Sequence, residues 1–155
     1  MISLGIIADT HGRLNNVNLN GLFPENTAVI TLGDISPSEF GIIEDVYGIF
    51  AAVKGNCDAG SSLPGTRTVQ ADGIRIFMSH FIPRVMIPSR EISLEKGYDV
   101  VLFGHHHIRY QKIREGVLFV NPGSYGLPKD NKGPSAACMH IADGTVNVEF
   151  LNVRL

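Results

Sequence analysis

The most constraining feature of this sequence is the way its apolar runs end. Short stretches rich in Ile and Val recur at residues 2–8, 28–32, 51–53, 74–78, 100–103 and 117–120, with the lengths and residue types of buried strands. Nearly every one is followed at once by a side chain able to bind a metal, usually after a glycine. Asp9 and His11 follow the first run, Asp34 follows Thr31-Leu32-Gly33, and Asn56 follows Val53-Lys54-Gly55. His80 follows Ile76-Phe77-Met78-Ser79, and His105, His106 and His107 follow Leu102-Phe103-Gly104. A glycine placed before such a residue removes a Cβ, so the backbone can turn sharply and a ligand can come close. In an open α/β sheet, ligands bind outside the carboxyl ends of the strands. Residues far apart in the sequence are therefore expected to converge on one site.

The remaining patterning predicts an architecture. Ser36-Pro37 marks a helix start, and Ile42, Ile43, Val46, Ile49 and Phe50 then form an apolar stripe at helical spacing, which makes a β-helix-β unit with the flanking runs. A second helix is predicted within residues 84–96, started or kinked by Pro88, and a weaker one within 14–22. From Gly116 onward, Asn121-Pro122-Gly123 and Asp143-Gly144 separate alternating segments, the pattern of antiparallel strands, with Asp143-Gly144 as a two-residue hairpin turn. The expected class is α/β, parallel in the first half and antiparallel in the second.

At 155 residues, 44% hydrophobic and 18% charged, the chain reads as one ordered domain spanning 1–155. A chain of this length buries roughly 68–70% of its unfolded surface, so a metal has to be justified by function. A net charge of −2 with no run of like charges disfavours nucleic acid except as a substrate. Cys57 and Cys138 form neither a disulfide framework nor a C-x-x-C pair, which points to a reducing, cytoplasmic setting. The run 2–8 lacks a basic flank, ends at Asp9 and falls far short of the roughly 20 residues that span a bilayer, so neither an export signal nor a membrane segment is expected.

Imidazole nitrogens with carboxylate and amide oxygens, and no required thiolate, suit two hard-to-borderline divalent ions. A carboxylate can bridge two ions, while a neutral amide adds a ligand without adding negative charge. Two ions roughly 3.5–4 Å apart can clamp the attacking and leaving oxygens at phosphorus and lower the pKa of a water to roughly 7. Taken singly, several of these residues are ordinary. Asp and Thr are common at helix starts, Gly33-Asp34 and Gly55-Asn56 are turn dipeptides, and His80 also fits a strand-end histidine satisfied in the core. Three successive histidines straight after a buried-type strand are the hardest to read that way. His140, alternating within 136–142, reads as structural or exposed, and Cys57 fits a packed small hydrophobe as well as a functional thiol.

The set Asp9-Thr10-His11, Gly33-Asp34, Gly55-Asn56-Cys57-Asp58, His80, Gly104-His105-His106-His107 and Asn121-Pro122-Gly123-Ser124 resembles the calcineurin-like metallophosphoesterases, in particular their small bacterial and archaeal phosphodiesterase branch. The motifs stand in the family's order over nearly the whole chain. The resemblance implies a two-sheet β-sandwich flanked by helices (αββα) and a dinuclear site. One ion takes Asp9, His11, Asp34 and His107, the other Asp34, Asn56, His80 and His105, with Asp34 as bridge and Mn, Fe, Zn or Ni as candidate ions. It implies hydrolysis of a small phosphoester, a phosphodiester in this branch, by a hydroxide shared between the ions, with Asp34 and Asn56 central to the chemistry. For His106 three roles stay open: supporting the ligands, facing the substrate or serving catalysis; Arg13 reads as a solvated side chain or, beside the site, as one that steers a phosphate.

Three places depart from the family pattern. Cys57 stands where larger members carry a histidine, as it does in the small branch. His80-Phe81-Ile82 replaces His-Gly-His, and His106 replaces a common threonine. The rival expectation is a non-catalytic protein-interaction scaffold, since the eukaryotic retromer scaffold subunit resembles this fold. A homo-oligomer is compatible with the sequence.

Overall fold

The structure is a computed structural model that describes residues 1–82 and 97–155. The helix expected within 84–96, with Pro88, lies outside the described residues. In chain order the elements are β1 (Ile2–Ile7), α1 (Asn16–Leu19), β2 (Ala28–Thr31), α2 (Pro37–Val46), β3 (Ile49–Ala52), β4 (Thr66–Ala71) and β5 (Ile74–Ser79). Then follow β6 (Val100–Phe103), β7 (Arg109–Arg114), β8 (Val117–Pro122), β9 (Ser135–Ala142) and β10 (Thr145–Asn152).

Two five-stranded mixed sheets result, ordered β10-β9-β1-β2-β3 and β4-β5-β6-β8-β7. Parallel pairing runs through β1, β2 and β3 in the first and through β5, β6 and β8 in the second. Antiparallel strands flank these centres: β9 and β10 beside β1, β4 beside β5, and β7 beside β8. The expected division into a parallel first half and an antiparallel second half is therefore wrong. Instead the second sheet has a parallel centre between antiparallel edges, and the first runs from an antiparallel edge at β10 to a parallel edge at β3. The reason is turn chemistry. Asp72-Gly73 (φ 48°, 81°), Glu115-Gly116 (φ 49°, 80°) and Asp143-Gly144 (φ 50°, 74°) are left-handed pairs that fold the chain straight back. The Asp143-Gly144 hairpin matches expectation. The other two join β4 to β5 and β7 to β8, whose edge strands TRTVQA and RYQKIR are too polar to read as apolar runs.

α2 begins as expected, with Ser36 as N-cap accepting from the Glu39 N–H and the Glu39 side chain reaching back to the Ser36 N–H. It stops at Val46, and Gly48 turns away at φ 85°. Ile49 and Phe50 therefore belong to β3, not to the helical stripe. The weaker helix shrinks to the single turn of α1, capped by Asn15.

One apolar layer joins the sheets: Leu4, Ile6, Ile30 and Leu32 of the first pack with Ile76, Met78, Val100 and Leu102 of the second. The helices cover the outer face of the first sheet through Leu19 and Ile43, against Ile7 and Val29. No helix among the described residues is long and apolar enough to cross a membrane.

Candidate metal centre

The carboxyl ends of the parallel strands deliver the side chains. Asp9 and His11 follow β1, Asp34 follows β2, Asn56 follows β3, His80 follows β5, and His105 and His107 follow β6. Asp9, His11, Asp34, His105 and His107 take φ values of 56°, 47°, 57°, 72° and 60°. Such left-handed backbone costs an L residue on the order of 1–3 kcal/mol and persists only where the surroundings impose it.

The imposing contacts are visible. Asp9 N donates to Gly33 O (3.0 Å) and Thr10 N to Asp34 O (3.2 Å), locking the two turns together. Ser124 Oγ donates to Asp9 O (2.7 Å), and His105 N donates to Asp9 Oδ2 (3.0 Å). The Asp58 carboxylate accepts from Asp34 N (2.8 Å) and Gly55 N (2.7 Å), while Cys57 N donates to Asp34 Oδ1 (2.8 Å). A Cβ on Gly55 would fall on the Asp34 carboxylate and backbone nitrogen. At this position only glycine fits.

The remaining oxygens lie among imidazole nitrogens. Asp9 Oδ1 lies 3.4 Å from His107 Nε2, 3.7 Å from His80 Nε2 and 3.8 Å from His11 Nε2. Asp34 Oδ2 lies 3.4 Å from His80 Nε2 and 3.9 Å from His11 Nε2. Ligand atoms of Asp9, His11 and His107 all fall within 4.8 Å of one another, as do those of Asp9, Asp34 and His80. His80 Nδ1 and His107 Nδ1 each sit 2.7 Å from a carbonyl, of Leu32 and Leu127. A carbonyl only accepts, so both Nδ1 atoms donate, and in the neutral rings the Nε2 lone pairs face the carboxylates.

The electrostatics match this crowding. Burial pushes the Asp9 carboxyl up to about 6 against the pull of His80. Burial acts on Asp34 too, yet His80 and the Cys57 N–H hold it well below the usual carboxylate range. His80 rises despite its burial because Asp34 and Asp9 face it. Burial and the neighbouring His80 push His105 and His106 down, and burial pushes His107 down.

Two of the buried polar atoms without a hydrogen-bond partner among the described residues, Asp9 Oδ1 and His80 Nε2, face each other here at 3.7 Å. Each such orphan costs about 1–3 kcal/mol. A cation accepted between them satisfies both, and the mixed imidazole and carboxylate set suits a borderline divalent ion. The residues present therefore fit a metal.

Sequence comparison agrees with the geometry: the calcineurin-like phosphoesterase superfamily domain matches residues 2–144. The chain belongs to this superfamily. It is 30% identical over 105 residues, 65% of its length, to the "Probable metallophosphoesterase YsnB" of Bacillus subtilis, and the match spans 62% of that relative. It is 27% identical over 141 residues to a phosphodiesterase of Methanocaldococcus jannaschii, covering 79% of this chain and 83% of that one. Among solved structures, Vps29 of Entamoeba histolytica complexed with Zn2+ shares the fold at TM-score 0.76 and 22% identity, covering 96% of this chain and 98% of that one.

Within this calcineurin-like fold the other expected residues are placed as follows. Asn56 is exposed, and its Oδ1 lies 3.1 Å from His105 Nδ1. The His105 ring is 5.3 Å from that of the buried His80, so Asn56 and His105 form the more exposed side of the cluster. The His106 ring packs against His105 (5.5 Å), Phe81 (5.8 Å) and Phe103 (6.0 Å). Arg13 is exposed on the turn after β1, where its backbone N–H donates to Thr10 O. Cys57 is exposed rather than packed, and the charge of Asp34 pushes its thiol up. His140 bonds Ser3 Oγ across β9 and β1, a structural role.

Sequence reasoning missed Glu39. It is 3% exposed, and its carboxylate accepts from Gly12 N (3.2 Å) and Leu14 N (3.0 Å) as well as from Ser36. It thereby pins the turn that carries His11. The motif Ser36-x-x-Glu39 is the signal that could have found it.

Proposed function

We propose that this protein is a divalent-metal-dependent phosphodiesterase with two ions at one centre, working in the cytoplasm as a single domain. Asp9, His11, Asp34 and His107 would hold one ion, and Asp34, Asn56, His80 and His105 the other. The observation that carries this reading is the pair of buried carboxylates set among the Nε2 atoms of His11, His80 and His107, with Asp9 Oδ1 and His80 Nε2 unpartnered. The position of Asp34 Oδ2 between His11 and His80 supports a bridging role, and Asp9 Oδ1 is equally placed to be shared. When bound, two such ions (Mn, Fe, Zn or Ni) bring water to a pKa of roughly 7 and neutralise charge growing on the phosphoryl oxygens.

The chain itself orients these groups. The Leu32 and Leu127 carbonyls fix the His80 and His107 rings, and the Cys57 N–H fixes Asp34. The phosphodiesterase relative supports a diester substrate. The Cys57 thiol, raised by Asp34, is a poor proton donor to a departing oxygen, and His106 packs against Phe81 and Phe103. Aryl esters, whose leaving groups need little protonation, should therefore outperform alkyl esters. Arg13 is the cation on the adjoining turn available to steer the anion.

The test is turnover of bis(p-nitrophenyl) phosphate with each candidate ion, with elemental analysis after dialysis. Two ions per chain and turnover lost on chelation are expected. Since the Vps29 structure of the same fold also holds Zn2+, metal content alone does not separate enzyme from interaction scaffold. Tight metal with no turnover of any phosphoester would establish the scaffold reading instead.

A further inference from the structure

A groove of about 670 Å³ runs between the start of α2 and the loop after β3, walled by Ile35, Pro37, Phe40 and Leu63. Its volume falls within the roughly 300–1,000 Å³ of small-molecule sites. Cys57 and Asp58 line its end, and the same two residues bond Asp34: Cys57 through its N–H to Oδ1, Asp58 through its carboxylate to the backbone N–H. The groove thus abuts the candidate metal centre through residues that hold the Asp34 turn.

Its far wall is built rather than loose. Ser61 N donates to Asp58 O (3.0 Å), Leu63 N to Ser61 Oγ (3.2 Å), and Lys54 N to Pro64 O (2.9 Å), which closes the loop on itself. Among the described residues no Lys or Arg lines it, and Asp58 adds negative charge, which disfavours a second phosphate or a carboxylate. Its apolar wall of Ile35, Pro37, Phe40 and Leu63 stands beside Ser36, Ser61 and Ser62, which carry no charge.

We propose that this groove is the subsite for one ester arm of the substrate, selecting phosphoesters with an uncharged aromatic or similarly bulky apolar arm. This rests on the phosphodiesterase reading given above. The two can fail separately, and the test keeps them apart.

Phenylphosphonate and methylphosphonate carry the same anionic head on a large and a small arm. In competition with bis(p-nitrophenyl) phosphate, phenylphosphonate should inhibit the metal-loaded protein more tightly than methylphosphonate. Leu63→Trp, which fills the groove, should weaken phenylphosphonate about tenfold and leave methylphosphonate within about twofold. Equal effects on both inhibitors, or none on either, would overturn the subsite.

A second readout needs neither metal nor turnover. In methyl NMR of the metal-free chain, phenol should shift the Ile35 and Leu63 signals saturably. In Leu63→Ala the Ile35 shift should weaken severalfold. If the protein hydrolyses nothing yet these shifts appear, the groove stands and the enzymatic reading falls. If no shift appears in the parent chain, the groove is not a site for apolar arms.

Discussion

At the end of the sandwich away from the candidate metal centre, Asp72, Glu115 and Asp143 take positive φ, each followed by a glycine whose missing Cβ would meet no atom within 4 Å. At the centre, Asp9, His11, Asp34, His105 and His107 take the same conformation, but there the chain is crowded: backbone and carboxylate press on Gly55, and Ala8 and Asp9 on Gly104. One end uses left-handed residues to reverse the chain at little cost. The other uses them to aim side chains, and holds them with bonds from distant segments. A local conformation thus acquires function only where tertiary contacts fix it.

The sharpest way to break this comparison is to add one methyl group at each end. Gly55→Ala forces a Cβ into the Asp34 turn and should cost about 3 kcal/mol or more, with loss of metal. Gly116→Ala, strained only by its own φ, should cost about 1 kcal/mol and leave metal content intact. Denaturant unfolding with metal analysis decides, and equal losses would erase the distinction.

Asp34→Asn tests whether the aimed groups carry the chemistry. It should lower kcat/KM on an aryl phosphodiester about a hundredfold or more, whereas His106→Ala should cost less than about tenfold. Likewise, His80→Ala should lose metal and His140→Ala should keep it. Parent-like metal content in His80→Ala would remove His80 from the centre.

Glu39 joins the two levels, because it anchors the His11 turn without being a ligand. Burial opposes its ionisation, yet the Leu14 and Ser36 donors hold its carboxyl below the ordinary value. With the folded value below the unfolded one, its contribution is present above the unfolded pKa of about 4.5 and is lost as pH falls through the folded one. Glu39→Gln should therefore cost about 1–2 kcal/mol near neutral pH and flatten the acid limb of the stability curve. An unchanged acid limb would show that its hydrogen bonds are not selective for the charged form. The smallest effect belongs to the far end, where Asp143→Asn keeps a turn-compatible residue and should change stability by less than about 0.5 kcal/mol.

The parallel strands and the convergence of the polar residues at their ends were legible in the sequence because burial on both faces makes an apolar run, and each run stops abruptly at a polar residue. β4 and β7 were not, since edge strands need no apolar run, although Asp72-Gly73 carries the same turn signal as Asp143-Gly144. The extent of the α2 stripe was misread because Ile and Val satisfy both periods, and only Gly48 separates helix from strand. Glu39 looked like an ordinary solvated acid, since its partners are backbone N–H groups that leave no trace in composition. The packing of His106 was equally hidden, because the Phe81 ring that joins His105 and Phe103 around it comes from the end of another strand.

Asp9, His11 and Asp34 follow strands of one sheet, while His80, His105 and His107 follow strands of the other. A ligand shared by both groups sits astride the seam and must be released before the sheets can part. Conformational stability then tracks the free concentration of that ligand: each tenfold rise above its Kd adds about 1.4 kcal/mol to the unfolding free energy. Starved of metal, such a protein unfolds sooner and becomes an easier target for proteolysis, so its abundance would report metal supply before any substrate is turned over.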